Sequence, residues 1–211
     1  MSSEPLVHVV DDDDSLRTAV VRLLTAAGLE VRAYASAGDF LLHPLPLGPG
    51  CILLDLRMPG PSGLELQRAL LNLGATLPVI FFTAHADVAC SVEAMKAGAV
   101  DFLMKPVEPQ VLLDTVHRAL ERDGLLRAAR ADAQDLRARF ALLSPREREV
   151  FDLVVAGKLN KQIADELGIA ERTVKAQRAQ LMTKLGAESA AELGRLAERL
   201  QRLSEGPRDT R

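Results

Sequence analysis

Two short, uninterrupted apolar runs, Ile52-Leu53-Leu54 and Val79-Ile80-Phe81-Phe82, limit the folds open to this chain more than any other feature. Runs of this kind suit strands covered on both faces, which belong to a parallel sheet with helices above and below. Three further segments read as strands, so five are expected: Leu6–Val10, Glu30–Ala35, Cys51–Leu54, Val79–Phe82 and Asp101–Met104. Between them the apolar spacing lengthens to that of helices. Ser15–Ala27 carries Leu16, Ala19, Val20, Leu23 and Leu24 at helical spacing, and Gly28 closes it. A fifth helix starts near Pro109, where proline is tolerated in a first turn, and carries Leu112, Val116 and Leu120 on one face. The alternation predicts a doubly wound α/β domain over residues 1–123.

Composition narrows the class. Apolar residues make up 48% of the chain, with no Trp, one Tyr and six Phe, so the cores are aliphatic. No apolar run approaches the ~18–20 residues of a membrane span, and the N-terminus lacks a signal core. Cys51 and Cys90 alone exclude a disulfide scaffold and fit a reducing cytoplasm. Residues 1–123 hold 16 acidic and 9 basic side chains, whereas residues 124–211 hold 13 and 17. An acidic front and a basic back predict two domains with different partners, the second facing a polyanion.

Residues 124–143 are rich in Arg, Ala and Leu and predict a helical linker; the sequence leaves open a break at Gly124. The remainder, 144–211, reads as all-α. Ser144-Pro145-Arg146-Glu147 is a capping box with proline in the first turn, followed by Val150, Phe151 and Val154 and closed by Gly157. Asn160 is expected to cap a second helix that carries Ile163, Ala164 and Leu167 and stops at Gly168. A third helix starts near Glu171, with Val174, Leu181 and Leu185 inward, and ends before Gly186. Ser189 and Glu192 form another capping box, opening a helix with Leu193, Leu196, Leu200 and Leu203; residues 206–211 read as frayed.

Four strands run directly into polar residues: the first into Asp11-Asp12-Asp13-Asp14, the third into Asp55, the fourth into Thr83, the fifth into Lys105-Pro106. The carboxyl ends of parallel strands share one edge, where ligands bind. Packed carboxylates need a cation to coexist, and Mg²⁺ held by a few carboxylates and waters suits them. Beside such an ion a carboxylate can take a phosphoryl group. Asp55, alone at its strand end, is the expected nucleophile. Lys105 would pair with one phosphoryl oxygen and Thr83 would hydrogen-bond another. Taken singly, an acidic run is an ordinary solvated loop or helix start, and a lone Asp an ordinary cap; the coincidence at four consecutive strand ends favours a site.

These residues carry a resemblance. Val9-Val10-Asp11-Asp12-Asp13, Leu54-Asp55-Leu56-Arg57-Met58-Pro59 with Ser62-Gly63, Thr83-Ala84, and Ala97-Gly98-Ala99 through Lys105-Pro106 are similar to the receiver of two-component response regulators of the FixJ/NarL type, over residues 5–121. The resemblance implies a flavodoxin-like, five-stranded parallel sheet and phosphoryl transfer from a sensor histidine kinase to Asp55. It implies Mg²⁺ held by Asp12, Asp55 and the main-chain carbonyl of Arg57, with Asp11 acting partly through water. Thr83 and Phe102 would form the switch pair. His85, two residues beyond Thr83, reads foremost as a surface loop residue, and Arg57 either approaches the phosphoryl group or faces solvent.

In the basic half, short helices around the tight turn Gly168-Ile169-Ala170 fit a helix-turn-helix, with Arg172, Lys175, Gln177, Arg178 and Gln180 available on the second element. Lys and Arg serve phosphates or guanine edges, and Gln can read adenine; a charged face on a small bundle is the bland reading. Leu143-Ser144-Pro145-Arg146-Glu147-Arg148-Glu149-Val150, Gly157, Asn160-Lys161-Gln162-Ile163-Ala164 and Arg172-Thr173-Val174-Lys175 resemble the LuxR-type helix-turn-helix over residues 142–203. The resemblance implies contacts to double-stranded DNA from Lys161, Arg172, Thr173, Lys175, Ala176, Arg178, Ala179 and Lys184. Ala170 stands in place of a capping Ser, and Gln177 in place of the usual His. The Leu193-Leu196-Leu200-Leu203 stripe is a dimer surface in this family, while core packing explains part of it equally well.

The expected protein is therefore a transcription factor controlled by phosphorylation rather than an enzyme, a homodimer when phosphorylated, with RNA polymerase a further candidate partner and no membrane association. A Mg²⁺-dependent phosphatase of the haloacid-dehalogenase plan, using Asp11-x-Asp13, Thr83 and Lys105, is the alternative. It needs further acidic ligands at a late strand end, where this chain has Lys105. A regulator indifferent to phosphorylation is a third reading, opposed by the complete acidic pocket.

Overall fold

The computed structural model describes residues 4–44, 48–84 and 88–205. The chain falls into two compact units, Met1–Arg127 and Ala128–Arg211. In the first, five strands, β1 (Leu6–Val10), β2 (Glu30–Tyr34), β3 (Gly50–Leu54), β4 (Val79–Thr83) and β5 (Asp101–Met104), form one sheet in the order β2-β1-β3-β4-β5. Every pairing is parallel. Around it lie α1 (Asp14–Ala26), α2 (Ala37–Leu41), α3 (Gly63–Asn72), α4 (Val88–Lys96) and the start of α5 (Pro109–Ala141). This is the doubly wound, flavodoxin-like order, whose reversal point lies between β1 and β3.

The period-two alternation of each strand divides the core. Val10, Ile52, Leu54, Val79 and Phe81 pack with Phe40, Leu66, Leu70 and Ala94 on the face of α2, α3 and α4. Val7, Val9, Cys51, Leu53, Ile80 and Phe82 pack with Val20, Leu24, Leu112 and Val116 on the face of α1 and α5. All five residues of β3 and of β4 are buried, as their apolar runs require. β3 begins one residue earlier than expected, at Gly50. A Cβ there would lie 2.1 Å from the Leu6 carbonyl oxygen, so only glycine lets the strand enter beside β1.

His8 in β1 is buried, shares a 3.0 Å hydrogen bond through Nδ1 with the Tyr34 hydroxyl, and stands edge-on to Phe40. Burial, reinforced by the Arg32 charge, holds its pKa down at about 4, so the folded chain keeps it neutral. The unfolded chain binds this proton near pH 6.5. The stabilisation is therefore complete above that pH and is lost as pH falls toward 4. Denaturant titration should show His8 costing the first unit about 2 kcal/mol between pH 7 and pH 5. A His8→Gln chain that loses as much stability as the wild type over this interval would refute the assignment.

The second unit holds the end of α5 with α6 (Pro145–Val155), α7 (Asn160–Leu167), α8 (Glu171–Leu185) and α9 (Ala190–Glu205). Its core is Val150, Phe151, Val154, Ile163, Val174, Leu181, Leu185 and Leu193. The Ser144–Glu147 capping box is formed in full. Asn160, expected as a cap, is instead the first residue of α7; Leu159 precedes it, and Gln162 Oε1 accepts the Leu159 amide at 2.8 Å. Asn160 Oδ1 accepts from Arg178 at 2.7 Å, so its side chain ties α7 to α8 rather than ending its own helix. Ser189 Oγ accepts the Glu192 amide, but the Glu192 carboxylate accepts from Glu188 N rather than closing a reciprocal box. Residues 206–211 lie outside the described residues. No helix among the described residues is long and apolar enough to cross a membrane.

Candidate functional site

The sheet's reversal point places the ends of β1 and β3 side by side. Asp11 and Asp55, each one residue beyond its strand, are 3% and 8% exposed. Carboxylate oxygens of Asp11, Asp12 and Asp55 lie within 4.8 Å of one another, with Asp12 exposed. Lys105 Nζ donates to Asp11 Oδ2 at 2.7 Å and lies 3.4 Å from Asp55 Oδ2. Its stem lies near Phe82, with the ammonium 5.2 Å from the ring centroid. Thr83, at the end of β4, is buried, and its carbonyl accepts the Lys105 amide at 2.8 Å. Asp11, Asp12, Asp55, Thr83 and Lys105 thus meet at one edge.

The cluster is an acidic pocket. Burial pushes the Asp11 carboxyl above its ordinary pKa, Lys105 and the Asp13 amide offset only part of that, and Asp55 adds to the rise. Lys105 faces two of the three carboxylates, Asp11 and Asp55, so the cluster stays acidic and its donor set suits a hard divalent cation. Asp55 Oδ1 accepts the Leu56 amide at 2.7 Å, leaving Oδ2 as the oxygen beside Lys105. Asp13 is engaged otherwise: its Oδ1 accepts from Ser15 N at 3.0 Å and Leu16 N at 3.1 Å, capping α1. The Arg57 side chain is exposed, and His85 lies outside the described residues.

Phe102 in β5 is half-buried and stacks on Phe81 with ring centroids 5.9 Å apart. Gly63, which the sequence shows only as part of the receiver motif, has a steric role at the pocket. A Cβ on Gly63 would lie 2.3 Å from the Asp55 carbonyl oxygen and 3.0 Å from the Phe81 ring, so α3 abuts the backbone of Asp55.

In the second unit, α7 and α8 flank the turn at Gly168, whose φ of 63° is the left-handed conformation glycine favours. α8 starts after Ala170 with no side-chain cap, a loss of about 1 kcal/mol relative to a Ser cap. Lys161, Arg172, Lys175, Ala176, Ala179 and Gln180 are exposed, and Thr173 is half-buried. The other expected contacts are engaged inside the unit. Arg178 donates to Asn160. Lys184 donates to the buried Glu147 at 2.7 Å and to the Leu142 carbonyl, and with the Ser144 amide it holds the Glu147 carboxyl below the usual range. Gln177 is half-buried, with its Oε1 enclosed and without a partner.

Comparison with known proteins agrees with both halves. Residues 7–117 match the response regulator receiver domain, and residues 141–197 match the bacterial regulatory proteins of the luxR family. The chain belongs to the response regulators. Its output domain is of the LuxR type, and the regulator is a phosphorylation-activated transcription factor. It is 46% identical over 199 residues to nodulation protein W of Bradyrhizobium diazoefficiens, covering 94% of this chain and 88% of that one. It is 45% identical over 191 residues to the transcriptional regulatory protein FixJ of Rhizobium meliloti, covering 90% and 94%. The solved structure of the response regulator StyR superposes with a TM-score of 0.87 at 46% identity, covering 93% of the regulator and all of that chain.

Proposed function

We propose that in the cytoplasm Asp55 accepts a phosphoryl group from a sensor histidine kinase and that the modified receiver dimerises, bringing two output domains onto double-stranded DNA. The observation that carries this reading is Asp55 Oδ2, nearly buried, 3.4 Å from Lys105 and grouped with Asp11 and Asp12. Asp55 Oδ2 attacks the phosphorus of the kinase phosphohistidine; the phosphorus–nitrogen bond breaks and the imidazole nitrogen keeps its electron pair. Asp12, Asp55 and the Arg57 carbonyl, with Asp11 partly through water, would hold Mg²⁺, whose charge would offset that of the transferring group. Lys105 exchanges an Asp11 oxygen for a phosphoryl oxygen. The Thr83 hydroxyl turns to another, and Phe102 moves further inward against Phe81.

Val92 and Met95 on α4, Met104 at the end of β5 and Val111 on α5 are exposed apolar side chains. They support a second copy of the chain as the partner of this face. On the output domain, Lys161, Arg172, Thr173, Lys175, Ala176 and Ala179 are the DNA contacts the exposure pattern favours. Arg178 and Lys184 would need to leave their partners. RNA polymerase is a further candidate partner.

The test is selection of genomic fragments by the purified chain, with and without Mg²⁺ and a phosphoryl mimic. Enrichment that needs both supports the switch, and enrichment indifferent to both overturns it. On an enriched fragment, a dimer touching about eight phosphates should give a slope of about −7 in log K against log salt. A flat dependence would remove the DNA-binding reading.

A further inference from the structure

Among the described residues of the second unit, basic side chains from other helices bond carbonyls at or near the C-terminal ends of four helices. Arg146 of α6 donates to the Leu167 carbonyl at the end of α7. Arg148 of α6 and Lys184 of α8 donate to the Ala141 and Leu142 carbonyls at the end of α5. The end of α5 returns two such bonds. Arg137 donates to the Leu203 carbonyl near the end of α9 at 2.5 Å, and Arg139 donates to the Leu185 carbonyl, the last of α8, at 2.9 Å. Cations there satisfy orphan carbonyls and face the negative end of the helix dipole.

Arg139 is the most committed of these. It is half-buried, its Nη2 pairs with Asp135 Oδ2 at 2.7 Å, and its Nε is enclosed without a partner. A Cβ on Gly186 would lie 2.9 Å from its Nη1, so the left-handed cap of α8 leaves the guanidinium its place. Phe140, the next residue, meets Phe151 edge-on with centroids 5.3 Å apart. The start of α8 has no matching side-chain cap.

We propose that the last turns of α5, residues 128–141, are a working part of the output domain and that Arg139 is a positioning residue for the recognition helix α8. The 15 residues of α8 span about 22 Å, so a tilt of about 10° about the capped end carries the first turn by about 4 Å. Short side chains that read base edges do not tolerate that displacement. Long Lys and Arg side chains on phosphates do. Loss of the Arg139 bond therefore costs sequence discrimination more than affinity.

The experiment uses the full chain, the genomic fragment that the wild type enriches, and an unrelated duplex of equal length. Arg139→Ala is expected to weaken binding to the enriched fragment about tenfold and to the unrelated duplex less than twofold. Arg139→Lys keeps a donor for Leu185 and recovers most of the loss. Asp135→Asn, at an exposed position, removes the ion pair without endangering the fold and should give a selective loss of about two- to threefold. Equal losses on both duplexes, or none in either variant, overturn the positioning role. The proposal rests on the DNA-binding reading, whose own failure is distinct: the wild type would enrich no fragment.

Discussion

Asp55→Asn is expected to bring the ratio of phosphodonor-stimulated to unstimulated DNA binding to about one and to cut phosphoryl incorporation at least about 100-fold, because a neutral amide is no nucleophile. The substitution is nearly isosteric and keeps an oxygen that can accept the Leu56 amide at the Oδ1 position. It removes one of three carboxylates from the acidic cluster and the charge facing Lys105 at 3.4 Å. Basal DNA binding should persist, since Asp55 belongs to the first unit and the α7–α8 pair to the second. Phosphoprotein gels and titration of one DNA fragment, with and without phosphodonor, measure the two quantities. A mutant that responds to the donor as the wild type does would show that Asp55 is not the phosphoacceptor.

Gly63→Ala is expected to be nearly as damaging. The added methyl must displace the Asp55 carbonyl, 2.3 Å away, which is backbone and has no rotamer to yield. Overpacking of this kind costs about 1–3 kcal/mol. The displaced atom belongs to Asp55, the proposed phosphoacceptor, so a backbone shift of about 1 Å falls directly on the transfer geometry and is expected to reduce the rate of phosphoryl acceptance about 100-fold. Phosphorylation kinetics on a chain shown to be folded by its thermal transition test this. Wild-type kinetics would mean that α3 moves away from β3 at little cost.

Both effects concern a site that was largely legible in the residues. β1 and β5 lie where their apolar runs predict, and the strand ends bring Asp11, Asp55, Thr83 and Lys105 to one edge, because strand direction alone fixes which ends converge. What could not be read came from distance in sequence. Gly50 is a poor strand former, and its role depends on Leu6, 44 positions away. Asn160 has the chemistry of a cap, but a partner 18 residues on, Arg178, recruits its side chain. The basic count of the second half suggested a surface for a polyanion. Arg137, Arg139, Arg146, Arg148 and Lys184 instead spend hydrogen bonds on helix-end carbonyls, two of them 46 and 66 residues away. Side-chain type told which residues were basic, and only the packed helices told which of them were tied to helix ends.

The reciprocal caps at the end of α5 also govern how this chain can be recombined with others. A chimaera joined at Ser144 would carry the Leu185 and Leu203 carbonyls without their donors, and Arg148 and Lys184 without their native main-chain acceptors. One joined at Ala128 takes the whole set with it, and is the junction at which a foreign sensor module should be fused.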